Sequence, residues 1–403
     1  MLRMKKITVL LFCLLLCDAF AQTNDSISNM LTKELEHIYS RGHINGFSVA
    51  IVNESGGLYT KGFGYANVNE KKKYTKNTIQ NIGSISKTLI GVALLKAQEL
   101  GKLHLDDPIN TFLPFEISNP NFPDSDITIR HLTTHTSSIT DSPKYYKNGY
   151  VLKAKENPGV KVNTNFRSPD EIISLSVFFE RILSKPGDWY CKKDFLKKKP
   201  GTFFKYSNVA AGLAAYILEQ ATGQSFSTFT KTHIFDPLEM SNTGWSFSEI
   251  DFSKHSRLYS EPTNELAFYK LVNYPDGGLL TSSDDLQKYL FELIKGYEGN
   301  GGILKKESFE ELFTPRLEEI NFDKRSTGSF SDDYNMGVFM GFSAKGYVGH
   351  TGSDPGIGSF MFFDPKTKIG KLLIVNTELK KEGVAEFKDI WKKLQEYEHK
   401  LKL

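Results

Sequence analysis

In the stretch NIGSISKTLIG, residues 81 to 91, Ser84 precedes Lys87 by three positions. On a helix that spacing stacks the two side chains on one face, about 5 Å apart along the axis. A serine hydroxyl is a weak nucleophile until a base takes its proton, and a lysine amine can be that base once burial lowers its pKa from about 10.4. No other serine in the chain has a lysine three residues on. Ser84 also falls where an extended run gives way to a helical one. Its N–H is therefore expected among the unpaired donors of a helix start, where a developing oxyanion is stabilised.

Two further stretches carry groups that such a pair would need. Tyr206-Ser207-Asn208 lies between a Pro-Gly turn and a helical run. A phenol near two amines can lose its proton below the usual pKa of about 10, act as a base, or return a proton to a leaving group. Asn208 is expected to hold Lys87 and a substrate amide. The same Tyr-x-Asn pattern recurs at Tyr65-Ala66-Asn67 and Tyr146-Lys147-Asn148, but the first is in a strand and the second lacks a frame around it. The third stretch, GHTGSDPGIGS, has Gly352, Gly356 and Gly358, which let backbone approach a ligand closely. His350 or Thr351 would meet the polar end of a substrate. The N–H of Ser353 could complete an oxyanion hole with that of Ser84.

In this order the three stretches resemble the serine β-lactamase and penicillin-binding-protein superfamily, and within it the class C β-lactamase, D,D-carboxypeptidase and esterase branch. GKLHLDDPINTFLP, ITIRHLTTHTSSI, PGTFFKYSN, IFDPLEM and GGLLTSSDDL extend the resemblance over about residues 28 to 378. It implies an α+β fold, an antiparallel sheet flanked by helices, with a mainly helical second domain and the site between them. It also implies an acyl-enzyme on Ser84, released by water or another acceptor, without metal or other cofactor. The chain departs from the branch in two places. Gln80-Asn81 stand where many of its β-lactamases carry an aromatic–Glu pair, and His350-Thr351-Gly352 replaces Lys-Thr-Gly. A histidine is only partly charged near pH 7 and is a weaker partner than lysine for the carboxylate of a β-lactam. The expectation is a hydrolase of amide or ester bonds, with peptides or cell-wall fragments among its substrates. A dedicated β-lactamase, and a non-catalytic penicillin or peptidoglycan sensor, are the alternatives.

The elements that must position these residues are legible as patterns. Residues 22 to 44 read as an amphipathic helix. GFSVAIVN and GLYTKGFGYANV alternate like the strands of a hairpin. SKTLIGVALLKAQELG is apolar nearly all round and stops at Gly101, as a buried central helix would. VAAGLAAYILEQATG reads as a small-residue helix ending at Gly223, and a further helix is expected to be capped near Ser282 or Ser283. GYVGHTG, SFMFFDP and KLLIVNT look like three antiparallel strands, followed by a closing amphipathic helix. One sheet built from both chain ends, with a helical subdomain over about residues 102–275, accounts for this order. Residues 142–200, with 13 Lys or Arg against 6 Asp or Glu, read as an insert over one side of the core. A solvated basic face is its plainer reading and a wall of a substrate groove the sharper one.

Composition narrows the function classes. The 403 residues can bury a large core, and no repeat or low-complexity tract is visible. MLRMKK, the apolar run Ile7 to Leu16, and Ala19 to Ala21 together read as a cleavable export signal over residues 1–21. The mature chain, 22–403, would then be periplasmic or secreted, with no stable transmembrane segment. Lipidation at Cys17 is the less favoured route, since Leu16 is a poor residue before a lipidated cysteine. Without the signal the chain has 47 basic and 46 acidic residues, so nothing calls for a nucleic-acid partner. The expected partner is a small-molecule or peptide substrate. Cys191 is then the one cysteine left, in WYCKKDF with no partner motif, and reads as a bland thiol. His131 and His135 in HLTTH have a zinc-compatible spacing but lack the glutamate of His-Glu-x-x-His, and are read as structural.

Overall fold

The computed structural model describes residues 25–154 and 166–401. The export signal and Cys17, and part of the 142–200 segment, lie outside the described residues. A helix over residues 25–39, α1, begins this part, shorter at its C-terminal end than the pattern suggests because residues 40–43 form a turn. The hairpin follows as β1 (Gly46–Asn53) and β2 (Gly56–Asn67), with a two-residue β3 (Lys72–Lys73) beside β2. Next come α2 (Ser86–Glu99), α3 (Asn208–Thr222) and α4 (Ser283–Tyr297). The C-terminal part supplies β4 (Asn335–Met336), β5 (Gly341–Phe342), β6 (Val348–Asp354), β7 (Ile357–Asp364), β8 (Ile369–Val375) and α5 (Lys381–Tyr397).

The sheet has eight strands in the order β4-β5-β6-β7-β8-β1-β2-β3, with every named pair antiparallel. The two chain ends meet at β1 and β8, in a register that places Phe47 opposite Val375 and Val49 opposite Leu373. Alternation along β1 divides its side chains between two layers. Phe47, Val49 and Ile51 pack with Leu31, Leu35 and Ile38 of α1 and with Phe387, Ile390, Trp391 and Leu394 of α5. Ala50 and Val52 face the larger core that holds α2, α3 and α4. Both faces are covered, which is why β8 is buried at every position.

α2 runs through the middle of the molecule, its residues from Ser86 to Leu95 all buried. Leu89, Ile90, Leu94 and Leu95 are each fully buried, and each such side chain contributes about 1.5–3 kcal/mol. This helix is thus held from all sides, as its all-round apolar pattern predicts. α3 packs against it and ends at Gly223, whose φ of +70° caps the helix in the left-handed region. α4 begins at Ser282, whose hydroxyl accepts the N–H of Asp285 at 3.2 Å. The described part of the 142–200 segment is more deeply joined to the core than an overlying insert. Its helix Leu175–Leu183 puts Phe178 and Phe179 fully into the main core, while Lys192, Lys193 and Lys197 to Lys199 are exposed. Among the described residues no helix is long and apolar enough to cross a membrane.

Candidate active site

Ser84 sits in a single 3-10 turn, Gly83–Ile85, between the two-residue strand Gln80–Asn81 and α2. The helix proper therefore starts two residues later than the sequence suggests. The cause is local. Gly83 has φ +57°, and a Cβ there would lie 2.7 Å from the backbone nitrogen of Ser353 on β6. Only glycine accepts both the left-handed backbone and the approach. Gly352 is as tightly placed, since its Cβ would lie 2.1 Å from the carbonyl oxygen of Ile82. Two hydroxyls pin the turn: Ser86 donates to the Gly83 carbonyl at 2.7 Å, and Ser359 to the Ile82 carbonyl at 2.7 Å. The amide of Ser353 is thereby held against the turn that carries Ser84.

Lys87 is fully buried. Its Nζ donates to Ser84 Oγ at 2.9 Å and to the carbonyl of Asp276 at 2.6 Å, and stands 5.2 Å from the centre of the Tyr206 ring. Burial pushes the amine's pKa down, against the pull of the carboxylates of Asp276, Asp141, Asp354 and Asp332. The Tyr206 hydroxyl is also within reach of the Ser84 hydroxyl, and its pKa moves opposite to the expectation of a depressed phenol. Burial, followed by the Asp332 carboxylate, raises it well above 10, and the bond to Ser84 offsets only part of this. Where the sequence suggests a second amine, the Asp332 carboxylate stands. Tyr206 is accordingly a neutral phenol in the resting site.

The Tyr206-Ser207-Asn208 turn is anchored by a residue that the sequence patterns did not single out. Asp141 accepts from the Ser207 hydroxyl at 3.0 Å, from the N–H groups of Asn208 and Val209 at 3.0 Å each, and from Asn208 Nδ2 at 2.7 Å. It thus serves the unpaired donors that open α3. This alters the expected role of Asn208: its amide nitrogen is engaged by Asp141, and the bonds of Lys87 go to Ser84 and Asp276 instead. His135 packs under Tyr206 with ring centres 4.4 Å apart, and its Nδ1 accepts the Ser207 N–H at 3.2 Å. His131 Nδ1 likewise accepts the N–H of Thr128 at 3.2 Å, completing a helix cap. Both histidines are tied to backbone.

On β6 the alternation of side chains separates His350 from Thr351. His350 is buried, with Nδ1 at 2.7 Å from Asp332 Oδ2 and 2.6 Å from the Thr351 carbonyl. Thr351 and Ser353 face a cleft of about 550 Å³ that Ser84, Tyr206 and Asn208 also line. Of the two residues expected to meet a substrate, Thr351 is at the cleft and His350 is behind it. The Asp332 carboxylate also accepts the Thr351 N–H at 2.8 Å and hydroxyl at 3.1 Å, and these bonds with His350 hold its pKa down to about 2.

Asp276 and Asp354 complete the surroundings of Lys87. The Asp276 carboxylate accepts from the Tyr145 hydroxyl and from Asn273 Nδ2, both at 2.6 Å, and burial pushes its pKa up to about 7. The Tyr150 hydroxyl donates to Asp354 at 2.5 Å, and burial raises that carboxyl to about 6. Tyr145 and Tyr150 belong to the basic, aromatic 142–200 segment, so part of that segment does form a wall of the cleft. Asp276 and Asp354 stand in YPDGGLL and GHTGSDPG, where they read as turn formers. Only the long-range packing makes them part of the site.

Many known proteins are similar to this chain in sequence or fold. Protein Flp of Staphylococcus aureus strain MW2 is 27% identical over 361 residues, covering 88% of this chain. The chain spans 64% of the length of that relative. The octameric penicillin-binding protein homologue from Pyrococcus abyssi superposes with a TM-score of 0.68 at 25% identity, covering 93% of this chain and 79% of that one. The D-amino acid amidase from Ochrobactrum anthropi SV3 shares the fold with a TM-score of 0.65 at 20% identity, over 91% of this chain and 99% of the other. The family model described as Beta-lactamase matches residues 27–395, and the chain belongs to that family.

Proposed function

We propose that the chain is an exported serine hydrolase that cleaves amide or ester bonds through an acyl-enzyme on Ser84. The observation that carries this reading is the buried Lys87 amine at 2.9 Å from Ser84 Oγ, with a lowered pKa and no carboxylate of its own within bonding distance of Nζ among the described residues. Such an amine takes the Ser84 proton as Oγ adds to the substrate carbonyl. The N–H groups of Ser84 and Ser353 meet the resulting oxyanion. Collapse breaks the amide or ester bond. The leaving amine or alkoxide takes a proton from the Tyr206 phenol, and the Lys87 ammonium, 5.2 Å from the centre of that ring, returns one to the phenolate. Water then attacks the acyl group, gives its proton to the same pair, and restores the Ser84 hydroxyl.

The basic, apolar and small-residue segments of residues 1–21 support export. A dedicated β-lactamase is the weaker reading, because the histidine that replaces the strand lysine is buried behind the cleft. A non-catalytic sensor is weaker still, since Ser84, Lys87 and Tyr206 stand together. Ser84→Ala is expected to lower kcat/KM for p-nitrophenyl acetate by about a thousandfold or more, with an unchanged melting temperature. Intact mass after incubation with the ester should show an acyl adduct on the unsubstituted protein alone. Full activity in the variant would overturn the mechanism.

A further inference from the structure

The cleft around Ser84 is unusually acidic. Asp141, Asp276, Asp332, Asp333 and Asp354 line it, and among the described residues the exposed Lys205 is the one cation in its lining. Most of these carboxylates have work inside the protein. Asp141 opens α3, Asp276 holds Tyr145 and Asn273, and Asp332 holds His350 and Thr351. Because Thr351 donates its hydroxyl proton to Asp332, its oxygen faces the cleft as an acceptor.

Asp354 is set apart by its place. Its Oδ1 is fixed by the Tyr150 hydroxyl at 2.5 Å, and no donor among the described residues meets Oδ2, as is also true of one oxygen each of Asp276, Asp332 and Asp333. That oxygen lies 2.9 Å from where a Cβ of Gly277 would sit, a point only 3.7 Å from the carbonyl carbon of Gly83. An oriented, half-buried carboxylate with a free oxygen therefore stands beside the peptide that carries the nucleophile. Tyr145, Tyr146 and Tyr150 line the same cleft. A carboxylate together with tyrosine rings is an environment that binds an ammonium group and repels a carboxylate.

We propose that Asp354 is a specificity-determining residue that receives the ammonium group of the substrate, so that the cleft takes aminoacyl amides or esters and peptides with a free amino terminus. The proposal rests on the serine hydrolase reading above. The pKa of Asp354, raised by burial, agrees with it, because a bound ammonium would restore the charged form that burial disfavours.

The test compares three acyl groups of similar size on one leaving group: the p-nitroanilides of alanine, propionate and succinate, each alanine enantiomer assayed separately. The protein is expected to hydrolyse one alanine enantiomer at least tenfold better, in kcat/KM, than the propionyl compound, and the succinyl compound worst. Asp354→Asn keeps an acceptor for Tyr150 but loses the charge, and should reduce the alanine-to-propionate ratio about tenfold. Equal or better use of the succinyl compound by the unsubstituted protein would overturn the proposal without need of any variant. So would a folded Asp354→Asn protein with an unchanged ratio. Hydrolysis of p-nitrophenyl acetate that depends on Ser84 but shows no amine preference sinks this proposal alone. Absence of any Ser84-dependent hydrolysis sinks the serine hydrolase reading with it.

Discussion

Gly83→Ala tests the tie between the nucleophile's turn and the strand opposite. The added methyl must occupy a left-handed backbone at φ +57°, which costs about 1–2 kcal/mol for a non-glycine residue. It must also lie 2.7 Å from the Ser353 nitrogen and 3.1 Å from the Gly352 carbonyl carbon, both backbone atoms of a strand paired along its length with β7. Overpacking of this kind costs about 1–3 kcal/mol. The expected loss of stability is thus about 2–5 kcal/mol, readable by urea denaturation. The activity loss should be larger than stability alone explains. The only relief is to separate the Ser84 turn from Ser353, and misplacing one oxyanion donor lowers kcat by about 10²–10³. The assay is kcat/KM for p-nitrophenyl acetate, with the folded fraction measured at the same temperature. A folded Gly83→Ala protein with the activity of the unsubstituted one would show that the Ser353 amide has no part in the reaction.

Two other substitutions probe the carboxylates around Lys87 and Tyr206. Asp276→Asn removes the largest of the charges that hold the Lys87 pKa up, so the acidic limb of kcat/KM against pH should move to lower pH; a limb that stays in place would separate Lys87 from the titration. The same change bears on stability, because the folded-state pKa of Asp276 is about 7 against an ordinary 3.8. Its stabilising contribution is fully present below about pH 4 and is lost as pH rises to about 7. The melting temperature of Asp276→Asn should therefore fall less than that of the unsubstituted protein across that window. Asp141→Ala leaves the donors at the start of α3 without their acceptor and should cost about 2–4 kcal/mol in denaturant unfolding. A loss below 0.5 kcal/mol, on the order of a neutral surface change, would mean that the turn at Tyr206 is held by other contacts.

The parts of the fold that were legible in the sequence are those whose signal is local. The hairpin of β1 and β2 shows as alternation, α2 as an apolar run with a glycine stop, and α3 as small residues ending at Gly223. The strands β6 to β8 were visible because their Gly, aromatic and β-branched residues are bounded by turns. The grouping of Ser84, Lys87 and Tyr206 followed from motif order and family resemblance. The electrostatics did not follow, because they depend on what the chain brings from elsewhere. Tyr206 was expected near a second amine and instead faces Asp332, a residue of an irregular stretch with no periodic signature. Asn208 was assigned to Lys87, yet Asp141, two residues beyond a quoted motif, takes its amide nitrogen. His350 and Thr351 looked interchangeable in a string of letters. The two-residue period of a strand decides between them only once it is known which face of β6 meets the cleft.

The placement of β1 between β2 and β8 has a consequence for how the molecule comes into being. β1 can pair with β2 as soon as residue 67 has emerged, but its other edge stays open until β8 is synthesised, so the contacts that close the sheet are very distant in sequence. Folding dominated by such contacts is slow, and an unpaired strand edge is a template for wrong pairing while it waits. The reactive centre is subject to the same delay. Ser84 comes from the first quarter of the chain and the Ser353 amide from the last, so a partly built chain holds the serine without its second amide donor. On the serine hydrolase reading, such a chain therefore lacks half of its oxyanion hole until the final strands have docked.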